Sequence, residues 1–387
     1  MIKAYLRPNG TIGVRNHVIL LPTVVCANAV AETVSRRVPG VIPIVHPYGC
    51  TLDPVANTEM TTVFAGIAEN PNVYATILIS LGCETVIGEE VLEKARQMGA
   101  KCELVTVQDE GDTFSAADAV EKLSIGFTRE AASVQRIDCC EADLVIALEC
   151  GASDAFSGLS ANPAVGRASD IMIDMGMTVI ISEITEYLGA EHIAAAQACD
   201  DEVRQRILDL VAKTEEELAV IDQDCGLLDI TPGNIGGGLT TIEEKSLGCI
   251  RKGGSRPYME VVEYGKRPRK KGLVLMDTPG HDIQSLTGMV AGGAQIGVFT
   301  TGRGTPTGSP IAPIIKIASN STVFNRMQRN IDVNAGSIID GDKSFDDVAQ
   351  EIVSKVLEVA QGKLTASEIA GHREFALRCM GSLGCIY

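Results

Sequence analysis

The stretch LVIALECGASDAFSGLSANPAVGRASD (144–170) decides the fold of this chain. An apolar, strand-like run ends in Glu149 and Cys150, opens into a loop of small polar residues, and continues as a predicted helix that carries Arg167. Open α/β sheets build binding crevices from this order of elements, at the carboxyl ends of their strands. The alternative interpretation is a solvated turn between a strand and a helix, with a capping aspartate.

The same alternation of strand and helix runs along the rest of the chain. Short apolar, β-branched runs predict strands, and segments with helical spacing lie between them. The predicted strands are 18–25, 41–45, 75–81, 102–108, 144–148, 177–182, 273–276, 296–301 and 314–318; the predicted helices are 27–37, 54–69, 89–98, 113–136, 345–360 and acidic helices within 193–221. This pattern predicts an α/β fold: two α/β domains, 1–138 and 139–387, with mainly parallel sheets covered by helices.

Composition excludes several classes of function. The 387 residues are 45% hydrophobic and 21% charged, which is typical of a globular protein with two or three domains. A net charge of −17 argues against a nucleic-acid partner, because a phosphate backbone requires a cationic surface. We find no signal peptide and no apolar stretch long enough to span a membrane, so we expect a cytoplasmic enzyme. The twelve cysteines are then core residues, metal ligands or reactive thiols, and a disulfide framework is not expected.

Three of the cysteines lie at or just after the end of a strand-like apolar run. Cys50 ends HPYGC (46–50), Cys83 lies in LGCE (81–84), and Cys150 lies in LECG (148–151). Thiolates from separate strand ends can converge on an iron atom or an iron–sulfur cluster, because soft sulfur ligands favour such metals. No CxxC pair is present, so the spacing alone leaves a simple role in packing open.

A second set of residues is suited to binding anions. Arg303 lies between Gly302 and Gly304 after a predicted strand, where glycines let the backbone approach a ligand and a guanidinium can hold a carboxylate. Lys245 lies in a Gly-rich region as a candidate base or carboxylate clamp; a solvated helix lysine is the alternative. The phosphate-loop, GxGxxG and GxSxG patterns are absent, which argues against nucleotide binding and acyl transfer.

Taken together, these motifs resemble those of the altronate/galactarate dehydratase family of sugar-acid hydro-lyases, which includes the large subunits of sulfolactate sulfo-lyases. The matching segments run in order through nearly the whole chain: NGTIGVRN (9–16), HPYGC (46–50), ISLGCE (79–84), ECGASDAFSGLSANPAVGRASD (149–170), SEITE (182–186), PGNIGGGLTTIEEKSLGC (232–249), TTGRGTPTG (300–308) and KIASNS (316–321).

The resemblance implies dehydration of a 2,3-dihydroxy acid to a 2-keto-3-deoxy acid with iron, or with another divalent metal such as Mn²⁺. The metal would be held by Cys50, Cys83, Cys150 and Cys249. The substrate anion would be bound by Arg15, Arg167 and Arg303. Its hydroxyls would be oriented by Ser153, Asp154 and Asn162, and its proton would be moved by Lys245, by His46 or by a histidine of a partner chain.

Single-chain members of the family carry an additional N-terminal domain of the SAF type. The resemblance therefore implies that a separate small subunit supplies this domain, and we also expect a homo-oligomer. Two other functions stay open: cleavage of a C–S bond with release of sulfite, and a non-catalytic subunit that binds sugar acids.

Overall fold

The computed structural model describes residues 1–225 and 230–378. The strands in this part of the chain form three sheets. They are β1 (Ile2–Leu6), β2 (Ile12–Gly13), β3 (His17–Pro22), β4 (Val41–Pro43), β5 (Val73–Ser80), β6 (Cys102–Thr106), β7 (Ile137–Cys139), β8 (Val145–Gly151), β9 (Thr178–Ile181), β10 (Tyr258–Val262), β11 (Gly272–Met276), β12 (Ile296–Thr301), β13 (Ile314–Ala318) and β14 (Val333–Asn334).

Helices connect and cover these strands. They are α1 (Asn28–Arg37), α2 (Pro54–Glu69), α3 (Gly88–Met98), α4 (Val107–Glu110), α5 (Thr113–Ser133), α6 (Asn162–Asp174), α7 (Glu191–Ala196), α8 (Asp201–Cys225), α9 (Pro232–Gly236), α10 (Ile242–Cys249), α11 (Asp282–Ala291), α12 (Ser321–Arg326), α13 (Gly336–Ile339), α14 (Phe345–Ala360) and α15 (Ala366–Ala370). No helix among the described residues has the length and apolar character needed to cross a membrane.

The two larger sheets are parallel, which confirms the predicted α/β fold. One has the strand order β4-β3-β5-β6, and the other has the order β10-β11-β9-β8-β12-β13-β14. Parallel neighbours require crossover connections, and the helices between successive strands provide them. Both faces of each sheet are therefore covered, so the strands are almost continuously apolar and buried.

The hydrophobic core is arranged in layers around the two parallel sheets. One cluster packs α1 and α5 on the outer face of the four-stranded sheet. A second cluster joins the inner faces of both sheets through residues of α2 and α11, such as Phe64 and Met289. A third covers the remaining face of the seven-stranded sheet with α6, α8 and α14. The two sheets therefore share one apolar layer, although they come from different parts of the sequence.

Two buried asparagines join the sheets where their strands begin. Asn70 Nδ2 donates to the carbonyl oxygens of Val290 and Ala294 at 2.7 and 3.0 Å. Asn72 Nδ2 donates to the carbonyls of Gln295 and Ile311 at 2.8 and 3.0 Å. Asn72 Oδ1 accepts the backbone N–H of residues 14 and 15 at 2.9 and 3.3 Å. These amides satisfy backbone groups that would otherwise be buried without partners.

Capping residues explain why two predicted helices have the observed bounds. The Asp53 carboxylate accepts the N–H of Val55 and Ala56 at the start of α2. Ser344 and Asp347 form a reciprocal capping box at the start of α14. The predictions of helices at 54–69 and 345–360 are confirmed.

The predicted helix at 113–136 is too long. It ends at Ser133, and the chain then forms β7, which pairs antiparallel with β1 in a small sheet of order β2-β1-β7. The predicted acidic helices within 193–221 are α7 and α8, and Asp200 caps the second by accepting the N–H of Val203. The division of the chain into domains at residue 138 stays a prediction, and β7 lies across it.

Candidate active site

The candidate site lies at the topological switch point of the seven-stranded sheet, where the chain stops adding strands on one side of β8 and begins to add them on the other. From β8 the chain adds β9, β11 and β10 on one side, and later β12, β13 and β14 on the other. Cys150 of β8 pairs with Thr300 of β12 at the carboxyl end of this central pair. Such a switch point leaves a crevice because the two connections leave the strand ends in opposite directions.

Three potential metal ligands meet at this point. Cys150, Glu186 and Cys249 place one sulfur or oxygen atom each within 4.8 Å of one another, and all three side chains are buried. Cys150 Sγ lies 3.5 Å from Cys249 Sγ and 3.0 Å from Glu186 Oε1. Cys249 ends α10, and Glu186 lies in a short 3-10 turn that follows β9.

Two lysines supply positive charge to the same group. The buried Lys252 Nζ donates to Cys150 Sγ at 2.8 Å and to Glu186 Oε2 at 2.7 Å, and it lies 3.5 Å from Glu183 Oε2. Lys245 Nζ lies 3.3 Å from Glu186 Oε1. The buried carboxylates are therefore paired, which is the condition under which a charge can stay in a protein interior.

The acidic groups of the site differ in the direction of their pKa shifts: one carboxyl group has a lowered pKa, and the other groups have raised pKa values. Burial opposes ionisation of Glu186, but the ammonium groups of Lys252 and Lys245 outweigh it and lower its pKa to about 2. Burial and the charge of Glu186 raise the pKa of Glu183 to about 7. Burial and the neighbouring Glu183 raise the pKa of Glu149 well above its usual value. Burial and Cys249 likewise raise the pKa of the Cys150 thiol.

Glu149 and Glu183 form a hydrogen-bonded carboxyl pair behind the thiols. The Ser285 hydroxyl lies 2.6 Å from Glu149 Oε2 and fixes that side of the pair. Glu183 has a φ of +66°, in the left-handed region that residues other than glycine rarely adopt. Backbone strain of this kind is concentrated at functional sites, where the surrounding structure must hold it in place.

A cavity of about 430 Å³ opens onto these groups. Its lining brings together the thiol, acidic and basic side chains of Cys150, Glu183, Lys245, Asp282, Arg303 and Arg326. Arg303 Nη1 donates to the Gly233 carbonyl at 2.9 Å, which holds its guanidinium at the cavity wall. A second cavity of about 310 Å³ reaches Lys245 and Cys249 from another direction. The first has the size and the mixture of charges that suit a small hydroxylated acid.

Several residues singled out from the sequence meet here. Cys150, Cys249 and Lys245 belong to the buried group, Arg303 and Gly304 line the cavity, and Ser153 Oγ lies 3.8 Å from Cys150 Sγ. Gly304 has a φ of +88°, which favours glycine. At Gly302 a Cβ atom would lie 2.4 Å from Asp154 Cγ, so the absence of a side chain lets the two loops touch.

Asp154 and Asn162 border the site, but their polar atoms are engaged with the scaffold. Asp154 Oδ1 accepts bonds from Ser157 and Ser319, and its Oδ2 accepts one from Asn320 at 3.0 Å. Asn162 accepts from Thr300 Oγ1 at 2.7 Å and donates to the carbonyl of residue 248. Both side chains therefore hold the loops together around the cavity.

The structure does not bring Arg15, Arg167 or His46 to this site. Arg15 is buried, pairs with Glu368, and donates to backbone carbonyls. Arg167 is exposed on α6 and lies 3.5 Å from Asp346. His46 packs against Phe64, and its Nε2 lies 2.7 Å from the carbonyl oxygen of residue 22.

Cys50 and Cys83 lie in a different environment from Cys150. Both are exposed, in loops that follow β4 and β5 of the four-stranded sheet. Among the described residues, the one group of donor atoms compact enough for a metal ion contains neither of them. The expected convergence of Cys50, Cys83 and Cys150 is therefore replaced by a group built on Cys150 and Cys249, because the first two cysteines follow strands of the other sheet.

Lys252, Glu183 and Glu186 are not among the site residues predicted from the sequence. The two glutamates lie in SEITE (182–186), directly after β9, where the rule that ligands collect at strand ends would have selected them. Lys252 follows α10 in a short 3-10 turn, and its sequence neighbourhood (GCIRKGG) resembles a surface loop. Its burial depends on packing between this turn and α6, which the sequence does not show.

The fold and the site together define an α/β protein with a crevice at a topological switch point, where buried thiols and carboxylates face basic side chains. Comparison with known proteins gives the particular family. The family model described as "D-galactarate/Altronate dehydratase, C-terminal" matches residues 141–382, and the model "D-galactarate dehydratase/Altronate hydrolase, second domain" matches residues 4–130. This chain belongs to the D-galactarate/altronate dehydratase family.

Individual relatives are similar over most of the chain. An altronate dehydratase of Bacillus subtilis is 34% identical over 97% of this chain and 77% of its own length. The beta subunit of a (2R)-sulfolactate sulfo-lyase of Chromohalobacter salexigens is 35% identical over 96% of both chains. A galactarate dehydratase (L-threo-forming) of Escherichia coli is 36% identical over 80% of this chain and 60% of its own length.

Proposed function

We propose that this protein is a carbon–oxygen lyase that dehydrates a sugar acid of the altronate or galactarate type to a 2-keto-3-deoxy acid. The names of the altronate and galactarate dehydratase relatives support the reaction class. The observation that carries the proposal is the buried group of Cys150, Glu186 and Cys249, which opens through Cys150 onto a cavity lined by Lys245 and Arg303.

The reaction removes a proton from the carbon next to the carboxylate and expels the hydroxyl of the following carbon as water. The resulting enol then takes up a proton to give the keto acid. Glu183 is our candidate for the base, because it lines the cavity and its pKa, raised by burial to about 7, suits proton transfer near neutral pH. We assign the substrate carboxylate to Arg303, because it lines the same cavity and a guanidinium offers a fork of donors.

Lys245 suits a different role from the base that its sequence context suggested. Burial opposes its charge, but the neighbouring Glu186 and Cys249 raise its pKa, so it carries an ammonium group. An ammonium cannot take a proton, whereas it can stabilise the negative charge that develops on the substrate as the proton leaves. Ser153, beside Cys150, is placed to orient a hydroxyl. We assign no substrate contact to Arg15, Arg167 or His46.

The donor set of the buried group fits a divalent transition metal. Cys150, Cys249 and Glu186 would hold the ion, and a bound ion supplies Lewis acidity that helps a hydroxyl group to leave. Two sulfur donors favour iron over manganese, which prefers oxygen ligands. The ammonium of Lys252 already lies between Cys150 and Glu186 as a counter-charge.

We propose that the enzyme is cytoplasmic and that it contains more than one polypeptide chain. The described cysteines 26, 50, 83, 102, 139, 140, 150, 199 and 249 are free, as is typical of a reducing compartment. A separate small subunit is supported by the name of the sulfolactate sulfo-lyase relative, which is one subunit of its enzyme. We also propose a homo-oligomer of this chain.

A second candidate function is cleavage of a C–S bond, with a sulfonate as the substrate and sulfite as the product. The sulfo-lyase relative, which matches 96% of both chains, favours it. Both reactions begin with removal of a proton next to a carboxylate, so the same Glu183, Lys245 and Arg303 would serve either one.

A substrate panel separates these candidates. The purified chain, alone and with a candidate small subunit, is incubated anaerobically with Fe²⁺ and with altronate, galactarate, other aldonates or sulfolactate. We expect keto-acid formation from an aldonate or aldarate without sulfite. Keto acid together with sulfite from sulfolactate would instead establish C–S cleavage, and tight aldonate binding without product would indicate a non-catalytic subunit.

The Cys150→Ser variant tests the metal assignment. After loading with Fe²⁺ in the absence of sulfide, we expect at least a tenfold weaker retention of iron and a loss of turnover, because a neutral hydroxyl replaces a sulfur ligand. Cys199→Ser, which changes an exposed thiol elsewhere, is the matched control. Unchanged iron content in Cys150→Ser would remove the ligand assignment.

A further inference from the structure

We infer that the carboxyl end of the four-stranded sheet holds an iron–sulfur cluster on Cys26, Cys50 and Cys83. This site is separate from the candidate active site. All three cysteines are free and exposed. They are placed by β3, β4 and β5, which are three neighbouring parallel strands, and each follows the carboxyl end of its strand. The parallel pairing therefore brings three thiols to one edge of one sheet.

The loops that carry these cysteines are in direct contact with one another. The N–H of Val25, next to Cys26, donates to the Tyr48 carbonyl at 2.8 Å. The N–H of Val86 donates to the carbonyl of Gly49, next to Cys50, at 3.3 Å. Thr23 Oγ1 donates to Glu84 Oε1, next to Cys83, at 2.6 Å. Each pair of loops is thus joined close to a cysteine.

Gly49 shows how closely the loops approach. A Cβ atom at this position would lie 2.1 Å from the Thr23 carbonyl oxygen and 2.6 Å from Val24 Cα. Its φ of +108° also requires glycine. The Glu84 carboxylate holds the third loop by accepting the backbone N–H of residues 81, 82 and 83 at 2.7 to 3.0 Å. Hydrogen bonds and close packing therefore hold the three cysteine-bearing loops in fixed positions.

The thiols do not lie close enough together for one ion to bind all three. A single ion with bonds of about 2.3 Å to each sulfur keeps its thiolates within about 4.6 Å of one another. The sulfur atoms of Cys26, Cys50 and Cys83 do not all lie within 4.8 Å of one another, unlike the donor atoms of Cys150, Glu186 and Cys249. Sulfide-bridged irons separate thiolate ligands more widely, and a non-cysteine ligand can complete the set.

Anaerobic reconstitution of the full chain with ferric and ferrous iron and sulfide tests this inference. The readouts are acid-labile sulfide per chain and the visible absorption of iron–sulfide charge transfer, neither of which depends on turnover. We expect bound sulfide in the unmodified chain and at least a fivefold loss in Cys26→Ser, Cys50→Ser and Cys83→Ser. Cys199→Ser, at another exposed thiol, and Cys150→Ser should retain the sulfide.

Two results would overturn the inference. One is an unmodified chain that binds no more sulfide than a sample with alkylated thiols, which would mean three independent surface thiols. The other is an equal loss of sulfide in Cys199→Ser and in the three loop variants. Circular dichroism and an alanine variant at each position separate loss of the cluster from loss of the fold. Because the sulfide assay is independent of the substrate panel, either proposal can fail alone.

Discussion

At the scale of single residues, Glu183 combines three properties that ordinary buried glutamates lack. It has a left-handed backbone, it lines the cavity, and it shares a hydrogen bond with a second carboxyl group. A glutamine at this position keeps the size of the side chain but cannot accept a proton. The residue can therefore be tested without a change of shape.

We expect Glu183→Gln to lower kcat by about 100-fold or more, because general base catalysis typically contributes a factor of that order. The measurement is steady-state turnover, together with the melting temperature of the variant. Glu243→Gln, at an exposed carboxylate on α10, is the control and should keep full activity. Turnover in Glu183→Gln equal to that of the control would assign the base to another group.

His46 makes the stability of the protein depend on pH. Burial lowers its pKa from 6.5 to about 4, so the folded chain favours the neutral ring. This contribution to stability is complete above pH 6.5 and is lost as the pH falls towards 4. Between pH 7.5 and pH 5 we expect its loss to lower the free energy of unfolding by about 2 kcal/mol.

Urea unfolding at the two pH values measures this effect. His46→Gln, whatever its stability at pH 7.5, should lose about 2 kcal/mol less than the unmodified chain on acidification. His192→Gln, at an exposed histidine of α7, should follow the unmodified chain. An unchanged acid loss in His46→Gln would show that other groups cause it, such as the half-buried His17, whose pKa burial also lowers.

The sequence predicts a position at the candidate cavity best for residues that directly follow a strand. Cys150 and Arg303 are two examples, since a strand end in a parallel sheet faces the crevice whatever the rest of the fold does. Their roles stay predictions. Arg15 shows the limit of this reasoning. Its motif suggested an anion site, but its guanidinium binds Glu368, a residue distant in sequence. Long-range partners of this kind cannot be read from local patterns.

At the scale of elements, two helical glycines have opposite surroundings. A Cβ atom at Gly126 in α5 would have no neighbour within 4 Å, whereas at Gly66 in α2 it would lie 2.4 Å from the Ala291 carbonyl oxygen of α11. We expect Gly126→Ala to raise the free energy of unfolding by up to about 1 kcal/mol, through helix propensity alone. Gly66→Ala should lower it by about 2 kcal/mol, because α2 must move away from α11.

Chemical denaturation of both variants gives the comparison, and each serves as the control for the other. The same sign of change in both would mean that the close approach of α2 and α11 does not limit the packing of the two sheets.

Elements are predictable when local signals mark their ends. The capped helices α2 and α14 have the predicted bounds, since the residues that cap their first turns lie beside them in the sequence. β7 was missed because a strand of three residues has no period to detect, and it exists only through pairing with β1 at the other end of the segment. Pairing partners distant in sequence determine such strands.

At the scale of the whole molecule, the two parallel sheets share a core and should unfold together. The buried side chain of Asn72, just before β5, makes four hydrogen bonds. Its Nδ2 donates to the carbonyls of residues 295 and 311, before β12 and β13, and its Oδ1 accepts the N–H of residues 14 and 15. We expect Asn72→Ala to lower the free energy of unfolding by about 3 kcal/mol, because backbone groups on both sides lose their partners. Tyrosine fluorescence and circular dichroism should report one shared transition.

Asn325→Ala, at an exposed position of α12, is the control and should change stability by less than about 0.5 kcal/mol. Two separate transitions in the unmodified chain would contradict a shared core. They would instead favour independent units on either side of residue 138, which the sequence predicts from its two runs of alternating strands and helices.

The ammonium of Lys252 between Cys150 and Glu186 has a consequence for the biogenesis of the protein. A pocket of thiols and carboxylates without an ion would normally resist burial, because its charges repel one another. Here an amino group of the chain itself fills that role. We therefore expect the chain to fold before it binds the proposed metal, so that metal-depleted cells would keep folded apoprotein.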